Sequence, residues 1–135
     1  MRPSANPDPG DVTPGLCILV VEDEMMIAMM LEEMLTDFGC SVIKAARIAK
    51  AVPLAATEPI DGAILDLNLA GEPVYAVAHE LRRRGIPFAF VSGYGSAGLS
   101  ADYRGCPTLQ KPFRRENLRR LVATFVPHAA DTLRE

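Results

Sequence analysis

Three acidic residues stand where they could do chemistry together. Glu22 and Asp23 follow directly on the apolar run Leu16-Cys17-Ile18-Leu19-Val20-Val21, and Asp66 closes a second run, Gly62-Ala63-Ile64-Leu65. Ser92 follows a third, Pro87-Phe88-Ala89-Phe90-Val91, and Lys111 follows the short segment Thr108-Leu109-Gln110. Gathered in one pocket, Glu22, Asp23 and Asp66 would repel one another, and each would resist ionisation. A divalent cation relieves that repulsion, and an all-oxygen ligand set with retained waters favours Mg²⁺. The expected direct ligands are Asp23 and Asp66, with Glu22 reaching the ion through water and the backbone carbonyl of Asn68 completing the protein side. A metal-bound carboxylate that faces an opening can act as a nucleophile toward phosphorus. The oxygens of the transferred group then need neutralising. The ion would hold one oxygen and the Lys111 ammonium another. The Ser92 hydroxyl and the N–H groups just after Asp66 are placed for the third. The product would be an acyl phosphate on Asp66.

For these residues to meet, the chain must bring the ends of several strands to one edge. From Leu16 the pattern alternates between short β-like runs and helical periods. Ile27, Met30, Leu31, Met34, Leu35 and Phe38 recur at three- and four-residue spacing, and Gly39 is placed to stop that helix. A second strand, Ser41–Lys44, precedes a small Ala-rich helix over about Ile48–Ala56. The third strand ends at Asp66. Gly71-Glu72-Pro73 is expected to open the next helix, with Pro73 in its first turn and Val74, Val77, Ala78 and Leu81 on one face. The fourth strand is Pro87–Val91. Residues 95–105 are rich in Gly and Ser, so any helix there should be short or mobile. After the fifth strand, Thr108–Gln110, a last helix presents Leu118, Leu121, Val122 and Phe125, and Pro127 ends it. Five apolar, non-alternating strands separated by helical segments predict an α/β fold whose parallel sheet is covered on both faces. In such sheets ligands bind at the carboxyl ends of the strands, which is where the polar residues named above fall.

The 135 residues suit one domain, and 49% of them are hydrophobic. The net charge of −3 gives no case for nucleic-acid binding. No apolar stretch is long enough to span a bilayer, and the N-terminus lacks a secretion signal, so a cytoplasmic protein with no membrane contact is expected. Residues 1–14, with Pro3, Pro7, Pro9 and Pro14, read as a disordered leader, 15–127 as the folded domain, and 128–135 as a flexible tail. Cys17, Cys40 and Cys106 are an odd, widely spaced set, neither a disulfide framework nor a metal site, and read as small buried thiols. His79 and His128 read as solvent-exposed. Arg82-Arg83-Arg84 suits a helix C-terminus, and Arg114, Arg115, Arg119 and Arg120 read as a solvated helix face.

Four motifs occur in order: the acid pair in Val20-Val21-Glu22-Asp23-Glu24, Asp66 in Ile64-Leu65-Asp66-Leu67-Asn68-Leu69, the hydroxyl in Val91-Ser92-Gly93, and Lys111-Pro112-Phe113. In this set the sequence resembles the receiver domains of bacterial two-component response regulators, over about Leu16–Val126. The resemblance implies a flavodoxin-like doubly wound (βα)5 fold with strand order 2-1-3-4-5. It also implies a Mg²⁺-dependent phosphoacceptor in a phosphorelay, fed by a sensor histidine kinase or a phosphotransfer protein. The run Pro87-Phe88-Ala89-Phe90-Val91-Ser92-Gly93-Tyr94 is similar to the signature of the FAT GUY subgroup, with Val91-Ser92 in place of Ala-Thr and one residue fewer before the tyrosine. Ordinary receivers carry an aromatic switch residue three positions before the lysine. Here that position is Thr108, which leaves Tyr94 as the nearer candidate for a moving aromatic beside Ser92.

The expected role is a stand-alone, self-phosphorylating and autodephosphorylating switch rather than a turnover enzyme, with output by phosphorylation-dependent binding of a downstream protein. Two other readings stay open. One is a Mg²⁺-dependent phosphatase with an aspartyl-phosphate, although position 68 is Asn where that chemistry wants a second acid. The other is a pseudo-receiver scaffold that never takes a phosphoryl group. Met25, Met26 and Met29 fall outside the core-facing set of the first helix and are expected to form an adaptable docking surface for the kinase.

Overall fold

A computed structural model describes residues 11–69 and 72–127. Most of the expected leader and all of the expected tail, including His128, lie outside the described residues. Five parallel strands form one sheet: β1 (Cys17–Val21), β2 (Ser41–Ala45), β3 (Gly62–Asp66), β6 (Phe88–Ser92) and β7 (Thr108–Gln110), in the order β2-β1-β3-β6-β7. Counting the sheet's own strands, that is 2-1-3-4-5. A separate two-stranded antiparallel hairpin pairs β4 (Asn68–Leu69) with β5 (Glu72–Pro73). The helices are α1 (Met25–Asp37), α2 (Ile48–Thr57), α3 (Tyr75–Arg84) and α4 (Arg115–Val122).

Because successive side chains of a strand point to opposite faces, the sheet divides the core in two. Ile18 and Val20 of β1 and Ile64 of β3 pack with Leu31 and Leu35 of α1 and with Leu118 and Val122 of α4. Leu19 and Val21 of β1 and Ala63 and Leu65 of β3 pack with Ala51 and Ala55 of α2 and with Val77, Ala78 and Leu81 of α3. This two-sided burial is why β1, β3 and β6 are apolar rather than alternating up to the polar Asp66 and Ser92 that end β3 and β6, whereas the edge strands β2 and β7 stay partly exposed.

Most element boundaries follow the sequence pattern, with two differences. Pro73 does not open α3: it pairs with Asn68 across the small hairpin, and the helix begins two residues later. A proline lacks an N–H, so it suits a hairpin position whose amide needs no partner as well as it suits a first helical turn. Between β6 and β7 the Gly- and Ser-rich segment forms only two short 3₁₀ turns, Gly95–Gly98 and Ala101–Tyr103, in keeping with its composition. α4 ends at Val122, and Phe125 is buried from the turn beyond it. Its ring lies so close to Gly62 that a β-carbon there would stand 2.4 Å from Cδ2. Gly39 does stop α1, in a left-handed conformation at φ 94°, and its N–H donates to the Thr36 carbonyl. The described chain also reaches back into the expected leader, where Val12 rests half-buried against the core. Cys40 is buried, while Cys17 and Cys106 are only half-buried; all three are free thiols.

Candidate functional site

The register of β1, β2, β3 and β6 sets their C-terminal ends side by side. Where β1 runs out, the Glu22 N–H donates to the Ala45 carbonyl at 3.1 Å. Beyond β3 the Leu67 N–H donates to the Val91 carbonyl at 2.9 Å, and beyond β7 the Lys111 N–H donates to the Ser92 carbonyl at 2.8 Å. These backbone bonds carry the sheet pairing into the loops and bring Glu22, Asp23, Asp66, Ser92 and Lys111 to one end. One carboxylate oxygen from each of Glu22, Asp23 and Asp66 lies within 4.8 Å of the others. The Lys111 Nζ stands 3.7 Å from Asp66 Oδ1 and 3.8 Å from Glu22 Oε1, an ion-pair distance beyond hydrogen-bond range.

Burial makes this cluster electrostatically costly. Glu22 and Asp66 are buried, and Asp23 is exposed at the rim. One Glu22 oxygen accepts the Glu24 N–H at 3.0 Å. The other, Oε1, is buried without a hydrogen-bond partner among the described residues. Loss of solvent pushes the Glu22 carboxyl up to about 7; the Asp66 charge pushes the same way, while the Glu24 N–H and Lys111 work against it. Burial also raises Asp66, and the Asp23 charge pushes the same way, with the Lys111 charge and the Asn68 N–H opposing. Buried oxygens that resist ionisation, one of them unsatisfied, are what a hard divalent cation would repair, so the donor set fits Mg²⁺.

The cluster opens into a cleft of about 790 Å³. Asp23, Asp66, Ser92 and Lys111 border its polar side, and Leu67, Tyr75, Tyr94 and Leu99 its apolar side. Asn68, in the hairpin, also borders it. Ser92 is buried, and its hydroxyl oxygen accepts the Tyr94 N–H at 3.0 Å. The Tyr94 side chain is 81% exposed. Thr108 is half-buried and donates its hydroxyl to the Cys106 carbonyl at 3.2 Å. Met25, Met26 and Met29 are exposed, as their spacing predicts. Tyr75, by contrast, has no signal in the sequence that would link it to Asp66: it begins a helix nine residues further on, and only the fold turns its ring back to the cleft.

Residues 18–123 match the model of the response regulator receiver domain. The chain belongs to that family. This receiver is similar to SdrG from Sphingomonas melonis Fr1, at 37% identity and a TM-score of 0.70, over 82% of this chain and 97% of that one. It is also similar to the receiver domain of sensor histidine kinase PA1611 from Pseudomonas aeruginosa PAO1, which is described with a magnesium ion coordinated in its active site cleft; identity is 28% and TM-score 0.66, over 80% of this chain and 94% of that one. The response regulator PhyR from Brucella abortus shares the fold at 24% identity and a TM-score of 0.73, over 93% of this chain. The receiver spans about half the length of PhyR, 52%. A search among curated proteins returns no match. Within the described residues of this receiver, no helix is long and apolar enough to cross a membrane.

Proposed function

We propose that this receiver is a phosphorylation switch whose phosphoacceptor is Asp66. The observation that carries the reading is the meeting of three carboxylates, one with an unsatisfied buried oxygen, with the Lys111 ammonium, beside a cleft that Asp23, Asp66 and Lys111 border. Asp23 and Asp66 would ligate Mg²⁺ directly, with Glu22 through water and the Asn68 carbonyl. When bound, the ion supplies positive charge that neutralises both the carboxylates and the incoming phosphoryl oxygens. Asp66 attacks the phosphorus of a phospho-histidine, a P–O bond forms, the P–N bond breaks, and the imidazole leaves with the electron pair. Lys111 holds negative charge that develops on the phosphoryl oxygens. The Ser92 hydroxyl rotates from the Tyr94 N–H toward the same group, which makes Ser92 and Tyr94 the first residues to move. Thr108 lacks the ring an aromatic switch would need.

The donor is a sensor histidine kinase or a phosphotransfer protein. Met25, Met26 and Met29 give its helix an apolar surface beside the cleft, and Glu33 and Asp37 border a groove of about 520 Å³ that runs along α1 with Met26 and Met29. An apolar helix face flanked by basic residues complements that groove. The output is phosphorylation-dependent binding of a further protein, as expected for a stand-alone receiver of the FAT GUY kind. A phosphatase reading is less well served, because Asn68 offers no second acid. Incubation with Mg²⁺ and acetyl phosphate, followed by intact-mass measurement, tests the assignment. One acid-stable, base-labile phosphoryl group on the wild type and none on Asp66→Asn is the expected result. The same modification on the variant would refute it.

A further inference from the structure

The segment between β6 and β7 is built to respond to events at Ser92, but the restraint on its far side comes from another element. Gly98 lies directly against the site: a β-carbon there would stand 3.1 Å from Leu67 Cδ2 and 3.5 Å from Ser92 Oγ. Gly95 takes a left-handed φ of 60°, so the backbone bends sharply just after Ser92. Two residues beyond Gly98, the Ser100 N–H donates to the Tyr75 hydroxyl oxygen at 2.7 Å. The Tyr75 ring is stacked on Tyr103, with centroids 4.9 Å apart and planes 3° off parallel, and meets Phe90 edge-on at 5.9 Å. Phe90 lies two residues before Ser92 on the same strand. Tyr75 therefore touches β6 with its ring and the 3₁₀ segment with its hydroxyl.

We propose that Tyr75 is a positioning residue, a latch that holds residues 94–100 closed over Ser92 and Asp66. Leu99 and Tyr103 are buried, and Arg104 donates to the Leu99 carbonyl at 3.2 Å, so the C-terminal half of the segment is also held by contacts that do not need the Tyr75 hydroxyl. The Tyr75–Ser100 bond fixes the boundary between that anchored half and the glycine-rich half above Ser92. When Ser92 turns toward a phosphoryl group, the Tyr94 N–H loses its acceptor, and the movement is confined to residues 93–98 as long as Ser100 is held. The closed segment shields the acyl phosphate from water. This role rests on Asp66 being the phosphoacceptor.

Tyr75→Phe removes the hydroxyl and keeps the ring in its stack. Hydrogen exchange on the unphosphorylated variant is expected to quicken several-fold across residues 94–100, with the melting temperature unchanged, because the bond is exposed and the aromatic packing is retained. The acyl phosphate on the variant is expected to hydrolyse several-fold faster than on the wild type. Exchange at wild-type rates, faster exchange at Ser100 alone, or an unchanged phosphoryl lifetime would each overturn the proposal. A wild-type protein that takes no phosphoryl group would refute the phosphoacceptor reading instead, and the exchange measurement would still decide whether Tyr75 holds the segment.

Discussion

Replacing Glu22 with Gln should stabilise the metal-free protein at neutral pH, the reverse of what loss of an ion-paired residue usually does. Glu22 is buried, and its carboxyl is pushed from an ordinary 4.5 to about 7, chiefly by loss of solvent. An acid whose folded value is raised binds its proton more tightly in the folded than in the unfolded chain. Its ionisation therefore opposes folding. The opposition begins as pH rises past 4.5, grows through the window to about 7, and is complete above it. At about 1.36 kcal/mol per pH unit, the full effect is on the order of 3 kcal/mol. Gln has nearly the same shape and no charge, so at pH 8 in a chelator Glu22→Gln should be more stable by about 2–3 kcal/mol. In urea denaturation that gap should shrink steadily on acidification and vanish only once the pH is well below the ordinary 4.5, where Glu22 is protonated in both states. Saturating Mg²⁺ should narrow or reverse it, because the wild type gains more from the cation. A variant no more stable than wild type at pH 8, or a gap that does not change with pH, would refute the electrostatic reasoning.

Asp23→Asn should weaken Mg²⁺ binding by more than about tenfold, since changes even to the partners of metal ligands cost that much; titration followed by NMR shifts reads it, and equal affinities would reject the metal assignment. Lys111→Ala should leave the fold intact but slow phosphorylation by acetyl phosphate, by an amount corresponding to roughly 3 kcal/mol of lost charge stabilisation, which rapid-quench kinetics would measure. Met29→Lys should slow transfer from the cognate kinase while transfer from a small donor stays near wild type; equal slowing of both would place the defect in the cleft or the fold. Gly62→Ala should cost about 1–3 kcal/mol in urea denaturation, because its β-carbon would stand 2.4 Å from the Phe125 ring, and the cost should largely disappear in a Phe125→Ala background.

The sheet was legible in the sequence because burial on two faces leaves a mark that needs no alignment: runs such as Ile18-Leu19-Val20-Val21 have no polar side to show. The polar residues that end those runs, Glu22, Asp66 and Ser92, could be assigned to one edge because parallel strands separated by helices all finish at the same end. The exposure of Met25, Met26 and Met29 followed from the helical period alone. Other features depended on partners distant in the chain. Pro73 reads equally well as a first helical turn or a hairpin residue, and only pairing with Asn68 decides between them. The fate of residues 95–105 turned on Leu99 and Tyr103, buried among side chains from other elements, which stabilise two short turns where the local sequence specifies no regular helix. The unsatisfied Glu22 oxygen and its raised carboxyl arise from desolvation, which exists only once the strands close around it. Tyr75 is the clearest case: nothing near it in sequence marks it, and its bond to Ser100, 25 residues away, exists because α3 packs beside β6.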